Sequence, residues 1–112
     1  MALEHARPLD VISVLPLATA LRQTKSHSLL KTDKLQLMRV VLSAGESMPE
    51  HHVDGEISIH CIEGLATVTT PTRSCTLEPG QLVVLPGGEP HSVKGEQDCS
   101  LLVTLLLHQN QK

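Results

Sequence analysis

The sequence contains no aromatic residue: Phe, Tyr and Trp are all absent from its 112 positions. The core must therefore be built from Leu, Ile, Val and Met. A pocket in such a protein offers no aromatic face on which a planar ring or a nucleobase could stack. This absence argues against nucleotide cofactors and single-stranded nucleic acid as ligands, and it excludes a phenolic general acid.

The sequence also lacks a basic block and a long apolar run. Its net charge is -3 and its charges are scattered, so nucleic acid and anionic membrane are poor partners. No run approaches the roughly 18 apolar residues of a membrane helix. The N-terminus carries Glu4 and Asp10 and has no apolar signal-peptide core. We therefore expect a cytoplasmic protein without a membrane partner.

Cysteine is scarce, with three residues at Cys61, Cys75 and Cys99. An odd number of widely spaced cysteines fits neither a disulfide framework nor a CxxC zinc site. We expect reduced, partly buried thiols that serve mainly as packing, since free cysteine is among the most buried residue types.

From His27 onward, short apolar runs alternate with Gly, Pro, Asp and Glu, which is typical of an all-β protein. The runs predict eight strands, at residues 28–31, 35–43, 57–62, 65–70, 74–77, 81–85, 91–94 and 100–108. So many short strands close into a sandwich or barrel rather than a flat sheet. Before them, residues 11–15 predict a strand or an extended arm, and residues 17–23 predict one or two helical turns.

Two segments, residues 45–64 and residues 80–91, resemble the paired signature motifs of the cupin superfamily. The first motif is Gly, five residues, His-x-His, three or four residues, Glu, six residues, Gly. The second is Gly, five to seven residues, Pro-x-Gly-x-x-His. The matching positions are Gly45, His51, Gly64, Gly80, Pro86, Gly88 and His91. The resemblance implies a double-stranded β-helix, an RmlC-like jelly-roll barrel over residues 26–108, with residues 1–25 as an N-terminal arm.

The chain departs from the family pattern at two of the four usual metal ligands. Counted from Gly64, the second histidine of the motif falls on Val53 and its glutamate falls on Ile57. The asparagine that often follows the second motif is replaced by Gly95. Because catalytic metal sites normally have three protein ligands and a water, the remaining His51 and His91 predict at most an incomplete site.

Alternation of side chains along a strand gives a second view of the first motif. The odd positions His51, Val53, Ile57, Ile59 and Cys61 are mostly apolar and are predicted to face the interior. The even positions His52, Asp54, Glu56, Ser58 and His60 are polar and are predicted to face solvent or a partner. Turning the even positions inward as metal ligands would expose the odd set, at about 1.5–3 kcal/mol for each large apolar side chain. That cost exceeds what such a weak set of ligands would contribute.

These considerations define the predicted site. His51 and His91 are the candidate metal ligands, and His52 is the candidate third nitrogen because strict alternation can lapse before the turn at residues 54–55. The predicted pocket walls are Val53, Ile57, Ile59 and Cys61. His60, Glu56 and Glu63 are expected to be solvated or to lie at an interface, and a Cys61–His nucleophilic pair is a minor alternative.

Three functions are compatible with such a site. The chain is either a small-molecule-binding cupin with a weak or incomplete divalent-metal site (Fe, Mn, Ni or Zn), or a metal-dependent oxygenase or isomerase of a small organic substrate, or a structural barrel with a degenerate site. Val53 and Ile57 favour the first and third, whereas retention of both His51 and His91 favours the second. The resemblance further implies a homodimer, with exchange of the arm and with Met38, Val40 and Leu42 on a covered outer face.

Overall fold

A computed structural model describes residues 5–107 and contains nine strands and one short helix. A 3-10 helix (Ala18–Gln23) precedes β1 (His27–Lys31), β2 (Leu35–Leu42), β3 (Ser47–His51), β4 (Ile57–Glu63), β5 (Ala66–Thr69), β6 (Ser74–Leu77), β7 (Leu82–Leu85), β8 (His91–Gly95) and β9 (Cys99–Leu106). The predicted strands are confirmed within two residues at each described end; His108 lies outside the described residues. β3 is not among the predicted strands. Residues 11–15 form no strand.

The strands form two antiparallel sheets that pack face to face as a jelly roll. The five-stranded sheet has the order β1-β2-β9-β4-β7, and the four-stranded sheet has the order β3-β8-β5-β6. Several strands that lie side by side in a sheet are far apart in the sequence. Both sheets therefore depend on long-range pairing between the two halves of the chain. The all-β double-stranded β-helix predicted from the sequence is confirmed.

The core lies between the sheets and is aliphatic throughout. Its buried members are Val40, Leu42, Ile57, Ile59, Cys61, Ala66, Val68, Leu77, Val93, Cys99, Leu101 and Val103. In β4 the burial alternates as predicted, with Ile57, Ile59 and Cys61 buried and the residues between them partly exposed. Within the five-stranded sheet, β4 pairs directly with the central strand β9.

The prediction that Met38, Val40 and Leu42 form an outer face is wrong. Val40 and Leu42 are buried in the core, and Met38 packs against it. Val40 pairs with Leu101, which is completely buried, so this side of β2 faces inward. Apolar residues occupy both sides of β2, and alternation therefore does not reveal which side is covered.

The N-terminal arm is anchored to the barrel by a cluster of polar side chains, which we call the arm clamp: Arg39, Glu63 and Ser100. The Glu63 carboxylate accepts hydrogen bonds from the backbone N–H of Leu17 (2.8 Å) and of Ala18 (3.0 Å), and from Ser100 Oγ (2.5 Å). Arg39, only 5% exposed, donates to Ser100 Oγ and to the carbonyl oxygens of residues 13 and 15.

The arm clamp corrects the expectation of a solvated Glu63. Burial alone would raise the pKa of the Glu63 carboxyl, but the hydrogen bonds from Leu17, Ser100 and Ala18, together with the charge of Arg39, lower it below its ordinary value. The carboxylate is therefore held in its charged form at the point where the arm joins the 3-10 helix.

No helix in the described part of the chain is long and apolar enough to cross a membrane.

Candidate functional site

A pair of histidines on neighbouring strands, His51 and His91, lies at one end of the barrel; we call it the histidine pair. His51 ends β3 and His91 begins β8, and the two residues are directly opposite in the antiparallel ladder. Directly opposite residues project from the same face of a sheet. Since His91 is 1% exposed, this is the inward face, although His51 itself remains exposed at the barrel end.

A β-bulge in β3 determines that His51 is the residue opposite His91. Met48 pairs with Val93 and His51 pairs with His91, so three steps along β3 oppose two steps along β8. In an unbroken ladder, Glu50 would occupy the position opposite His91. Bulges re-aim side chains in this way, and Pro49, which lacks an N–H donor, is tolerated because β3 is an edge strand.

The two imidazole rings are preorganised by their own backbone. The ring centroids are 4.6 Å apart with an interplanar angle of 53°. His51 Nδ1 lies 3.1 Å from the carbonyl oxygen of Pro49, and His91 Nδ1 lies 3.0 Å from that of Glu89. A carbonyl oxygen only accepts, so each Nδ1 carries the hydrogen, and each neutral ring keeps its Nε2 lone pair for another partner.

Glycines bring the loop after His51 against the turn before His91. A Cβ on Gly87 would lie 2.2 Å from the carbonyl oxygen of Asp54, which no side chain permits. The N–H of Gly88, whose φ is +83°, donates to the carbonyl oxygen of Val53 (2.7 Å). The two motif segments are thus joined directly, and the joint holds both histidine-bearing strand ends in place.

A cavity of about 350 Å³ opens between β5 and β6 on one side and β7 on the other. Its apolar wall contains Val68, Val83 and Leu85, and its remaining lining residues are Thr70, Thr72, Arg73, Ser74, Cys75, Val84, Pro86 and Glu89. The volume is at the small end of the roughly 300–1,000 Å³ typical of small-molecule sites.

Register places the cavity beside the histidine pair. Val68 lies opposite both Val93 and Cys75, and Met48 lies opposite Val93, so these residues form one row across the four-stranded sheet. Two residues further toward the barrel end, His51 pairs with His91. On β5 the last pair is Thr69 with Ser92, so the next residue in line with His91 is Thr70, whose N–H donates to the carbonyl oxygen of Arg73 (2.8 Å). An apolar row is therefore followed by a polar row at the opening.

Neither the histidine pair nor the other predicted site residues line this cavity. His52 is exposed and lines a different groove with Val53, Asp54, Gly55 and residues 105–107. Ile57, Ile59 and Cys61 belong to the core and do not line the cavity beside His91. His60 is partly exposed, and Glu56 is exposed. Arg73 and Glu89, which do line that cavity, were not predicted: Arg73 lies in a turn outside both motifs, and Glu89 lies at a position where the second motif specifies no residue type.

The buried thiols are poor nucleophiles. Burial raises the pKa of the Cys61 thiol, which contacts the carbonyl oxygens of Glu63 (3.5 Å) and Gly64 (3.8 Å). Burial and the neighbouring Cys61 raise the pKa of Cys99 to about 11. All three cysteines are free, as predicted, and a thiolate at Cys61 is disfavoured.

The donor atoms present do not fit a firmly held catalytic metal. Among residues 5–107, no group of three or more His, Cys, Asp or Glu side chains could hold an ion. The histidine pair supplies two imidazole nitrogens, whereas catalytic centres normally use three protein ligands. The described donors therefore do not supply the ligand set of a catalytic metal centre.

Comparison with known proteins identifies the fold. A cupin domain superfamily protein from Desulfitobacterium hafniense DCB-2 superposes with a TM-score of 0.77 at 22% identity, covering 94% of this chain and 100% of that one. The conserved SPY1581 protein of unknown function from Streptococcus pyogenes gives a TM-score of 0.75 at 20% identity, with 98% and 100% coverage. An RmlC-like cupin protein from Desulfovibrio desulfuricans gives 0.68 at 19% identity, with 93% and 96% coverage. These similarities concern the fold alone.

No curated protein sequence matches the chain. The family model of the cupin domain matches residues 38–105, which include both motif segments, the histidine pair and the cavity. The chain belongs to the cupin domain family.

Proposed function

We propose that this cupin binds a small molecule in the cavity beside the histidine pair, with the imidazoles providing polar contacts. The observation that carries the proposal is a cavity of about 350 Å³ whose lining combines an aliphatic wall with the polar side chains of Thr70, Arg73 and Glu89. Small-molecule sites are typically apolar with a few convergent polar groups, and this arrangement meets that description.

The histidine pair gives the site a directional hydrogen-bonding character. Both Nδ1 atoms are engaged by backbone carbonyls, so both Nε2 atoms are available as acceptors from a bound hydroxyl or amide. His91 is almost fully buried, and a hydrogen bond to it would be strengthened by exclusion of water.

Ligand screening on the wild-type chain and on His91→Ala tests this proposal. A library of small polar and aliphatic compounds is screened by amide chemical shifts in two-dimensional NMR. We expect hits to shift residues 68–75 and 83–91 in the wild type and to weaken about tenfold or more in His91→Ala, because one hydrogen bond and its surrounding contacts are lost. His60→Ala, on the outer side of β4, is the matched control.

Two results contradict the proposal. One is a screen in which no compound shifts these residues, which favours a structural barrel with a degenerate site. The other is a set of hits that bind His91→Ala and the wild type equally well.

A divalent ion is proposed only as a weakly held guest of the histidine pair. Two imidazole nitrogens leave most of the coordination shell to water or to a bound molecule. Elemental analysis of untagged protein, reconstituted near neutral pH with iron, manganese, nickel or zinc, should show weak occupancy that His91→Ala abolishes and His60→Ala leaves unchanged.

The second candidate function, a metal-dependent oxygenase or isomerase, is favoured by the two free Nε2 atoms alone. Stoichiometric metal in the purified protein would support it. Less than about 0.1 equivalent per chain after reconstitution would contradict it.

A homodimer is proposed from the outer face of the five-stranded sheet. Val84 is 59% exposed and Leu82 is 52% exposed on the edge strand β7, and Leu106 of β9 is also exposed on this sheet. Exposed apolar side chains on an edge strand favour association with a second copy. Light scattering at micromolar concentration should give a dimer, and Val84→Lys should shift it toward monomer; a wild-type monomer would contradict the proposal.

A further inference from the structure

Two opposite charges line the same small cavity without neutralising each other. Arg73 lies in the turn between β5 and β6, and Glu89 lies in the turn before β8. No ion pair joins Arg73 to Glu89, both of which lie within the described residues 5–107. Neither side chain makes a hydrogen bond to another described side chain or to the described backbone.

The positions of these charges follow from the row that contains the histidine pair. Arg73 lies beyond Thr70 at the far end of that row from His51, because Thr69 pairs with Ser74 and the hairpin closes one position later. Glu89 lies two residues before His91, and its carbonyl oxygen accepts the hydrogen of His91 Nδ1. Backbone contacts therefore fix the origins of both side chains around the opening.

The wall below the charges is aliphatic. Val68 is buried, Val83 and Leu85 are partly buried, and all three line the cavity. Hydroxyl groups of Thr70, Thr72 and Ser74 complete the side of the opening that Arg73 occupies. Because the chain has no aromatic residue, the wall provides dispersion contacts and no ring stacking.

We propose that the cavity binds a small aliphatic zwitterion, a molecule that carries a carboxylate and an ammonium group on a short branched carbon skeleton. The carboxylate pairs with the guanidinium of Arg73, whose planar fork matches a carboxylate. The ammonium pairs with Glu89, and the aliphatic body packs against Val83 and Leu85. This inference rests on the proposed function, since it names the chemical class bound in the same cavity.

Three probes that share an isobutyl group separate the contributions of the two charges to binding. L-Leucine carries both charges, 4-methylpentanoate lacks the ammonium, and 3-methylbutylamine lacks the carboxylate. Affinities are measured by NMR titration of the full chain. We expect L-leucine to bind about fivefold more tightly than either single-charge probe, because Arg73 is exposed and an exposed charged contact contributes roughly a factor of five at most.

Two neutralising variants assign each charge. Arg73→Gln should weaken L-leucine about fivefold and leave 3-methylbutylamine unchanged. Glu89→Gln should weaken L-leucine similarly and leave 4-methylpentanoate unchanged or tighter. Both side chains emerge from turns outside the core, and Glu78→Gln, in the exposed turn after β6, is the matched control.

The outcomes distinguish this inference from the proposed function. If 4-methylpentanoate binds as tightly as L-leucine and Glu89→Gln has no effect, the zwitterion is wrong, whereas small-molecule binding stands. If all three probes fail while other compounds bind in a manner sensitive to His91→Ala, the chemical class is again wrong. If neither these probes nor the screened library shift the cavity residues, both proposals fail.

Discussion

The arm clamp makes a quantitative prediction about Glu63. Glu63→Gln keeps the shape of the side chain and removes its charge. The amide retains a single acceptor oxygen for the three donors that the carboxylate now serves, from Leu17, Ala18 and Ser100. Arg39, almost fully buried, also loses the negative charge nearest to its guanidinium.

The expected loss is about 2 kcal/mol of unfolding free energy. Hydrogen bonds to a charged group contribute about 1.5–3 kcal/mol each, and the lower end applies because the Glu63 carboxylate is only partly buried. The surviving amide contacts offset part of the loss. Glu63→Ala should cost more, since it leaves the N–H groups of Leu17 and Ala18 and the Ser100 hydroxyl without their acceptor.

The loss should depend on pH in a definite direction. The pKa of Glu63 is lowered in the folded chain, so the charged form is favoured by folding. Its stabilisation is complete above the unfolded carboxyl pKa of about 4.3 and disappears as the pH falls through the lower, folded value. The difference between wild type and Glu63→Gln should therefore be constant at neutral pH and shrink below about pH 4.

Urea unfolding at several pH values measures this difference, and hydrogen exchange at the amides of Leu17 and Ala18 reports whether the arm is released. Glu78→Gln, which alters an exposed turn glutamate, should change stability by less than about 0.5 kcal/mol. A Glu63→Gln variant that is as stable as the control, and whose Leu17 and Ala18 amides exchange as slowly as in the wild type, would contradict this role of Glu63.

Three further predictions concern the site and the core. Gly87→Ala should destabilise the chain by more than about 2 kcal/mol, because its Cβ would meet the Asp54 carbonyl oxygen, and the His91 resonances should shift; an unchanged melting temperature would contradict the joint between the motif segments. Gly45→Ala, with nothing within 4 Å and a φ of +85°, should cost only about 1 kcal/mol. At pH 8, a disulfide reagent should label Cys75 well before Cys61 and Cys99, whose raised pKa values and burial suppress the thiolate; equal labelling rates would show that the core opens readily.

Most of the fold was predictable because apolar runs and turn residues follow the strand period. Seven of the predicted runs end at described residues, and each coincides with a strand to within two positions. β3 escaped prediction because it is a polar edge strand, Ser47–His51, with burial on one residue only and a proline at its centre. The arm clamp escaped prediction for a different reason. Glu63 ends β4 at a Glu-Gly turn, and nothing in the local sequence indicates that Leu17 and Ala18, which lie 46 and 45 positions earlier, donate to it.

The candidate site was predictable only in its histidines. Motif spacing identified His51 and His91, and the ladder brings them together. The third predicted ligand, His52, follows β3, where alternation along a strand no longer applies, and the structure places it on another groove. Arg73 and Glu89 reach the cavity through sheet register between segments that are distant in sequence, which a single sequence does not display.

The bulge in β3 shows why correct placement of His51 did not follow from the alternation argument. Counting back from Ile57 by twos put His51 inward, but residues 52–56 form a loop, so the count does not carry across them. Counting forward from Met48 along β3 would have put Glu50 inward and His51 outward. Because the bulge adds one residue to β3, His51 rather than Glu50 lies opposite His91. Had the ladder been regular, a carboxylate would have faced His91 and the opening would have carried two acidic groups, Glu50 and Glu89. The bulge thus leaves Glu89 as the acidic residue that lines the cavity together with Arg73, which is the charge arrangement on which binding of a zwitterion depends.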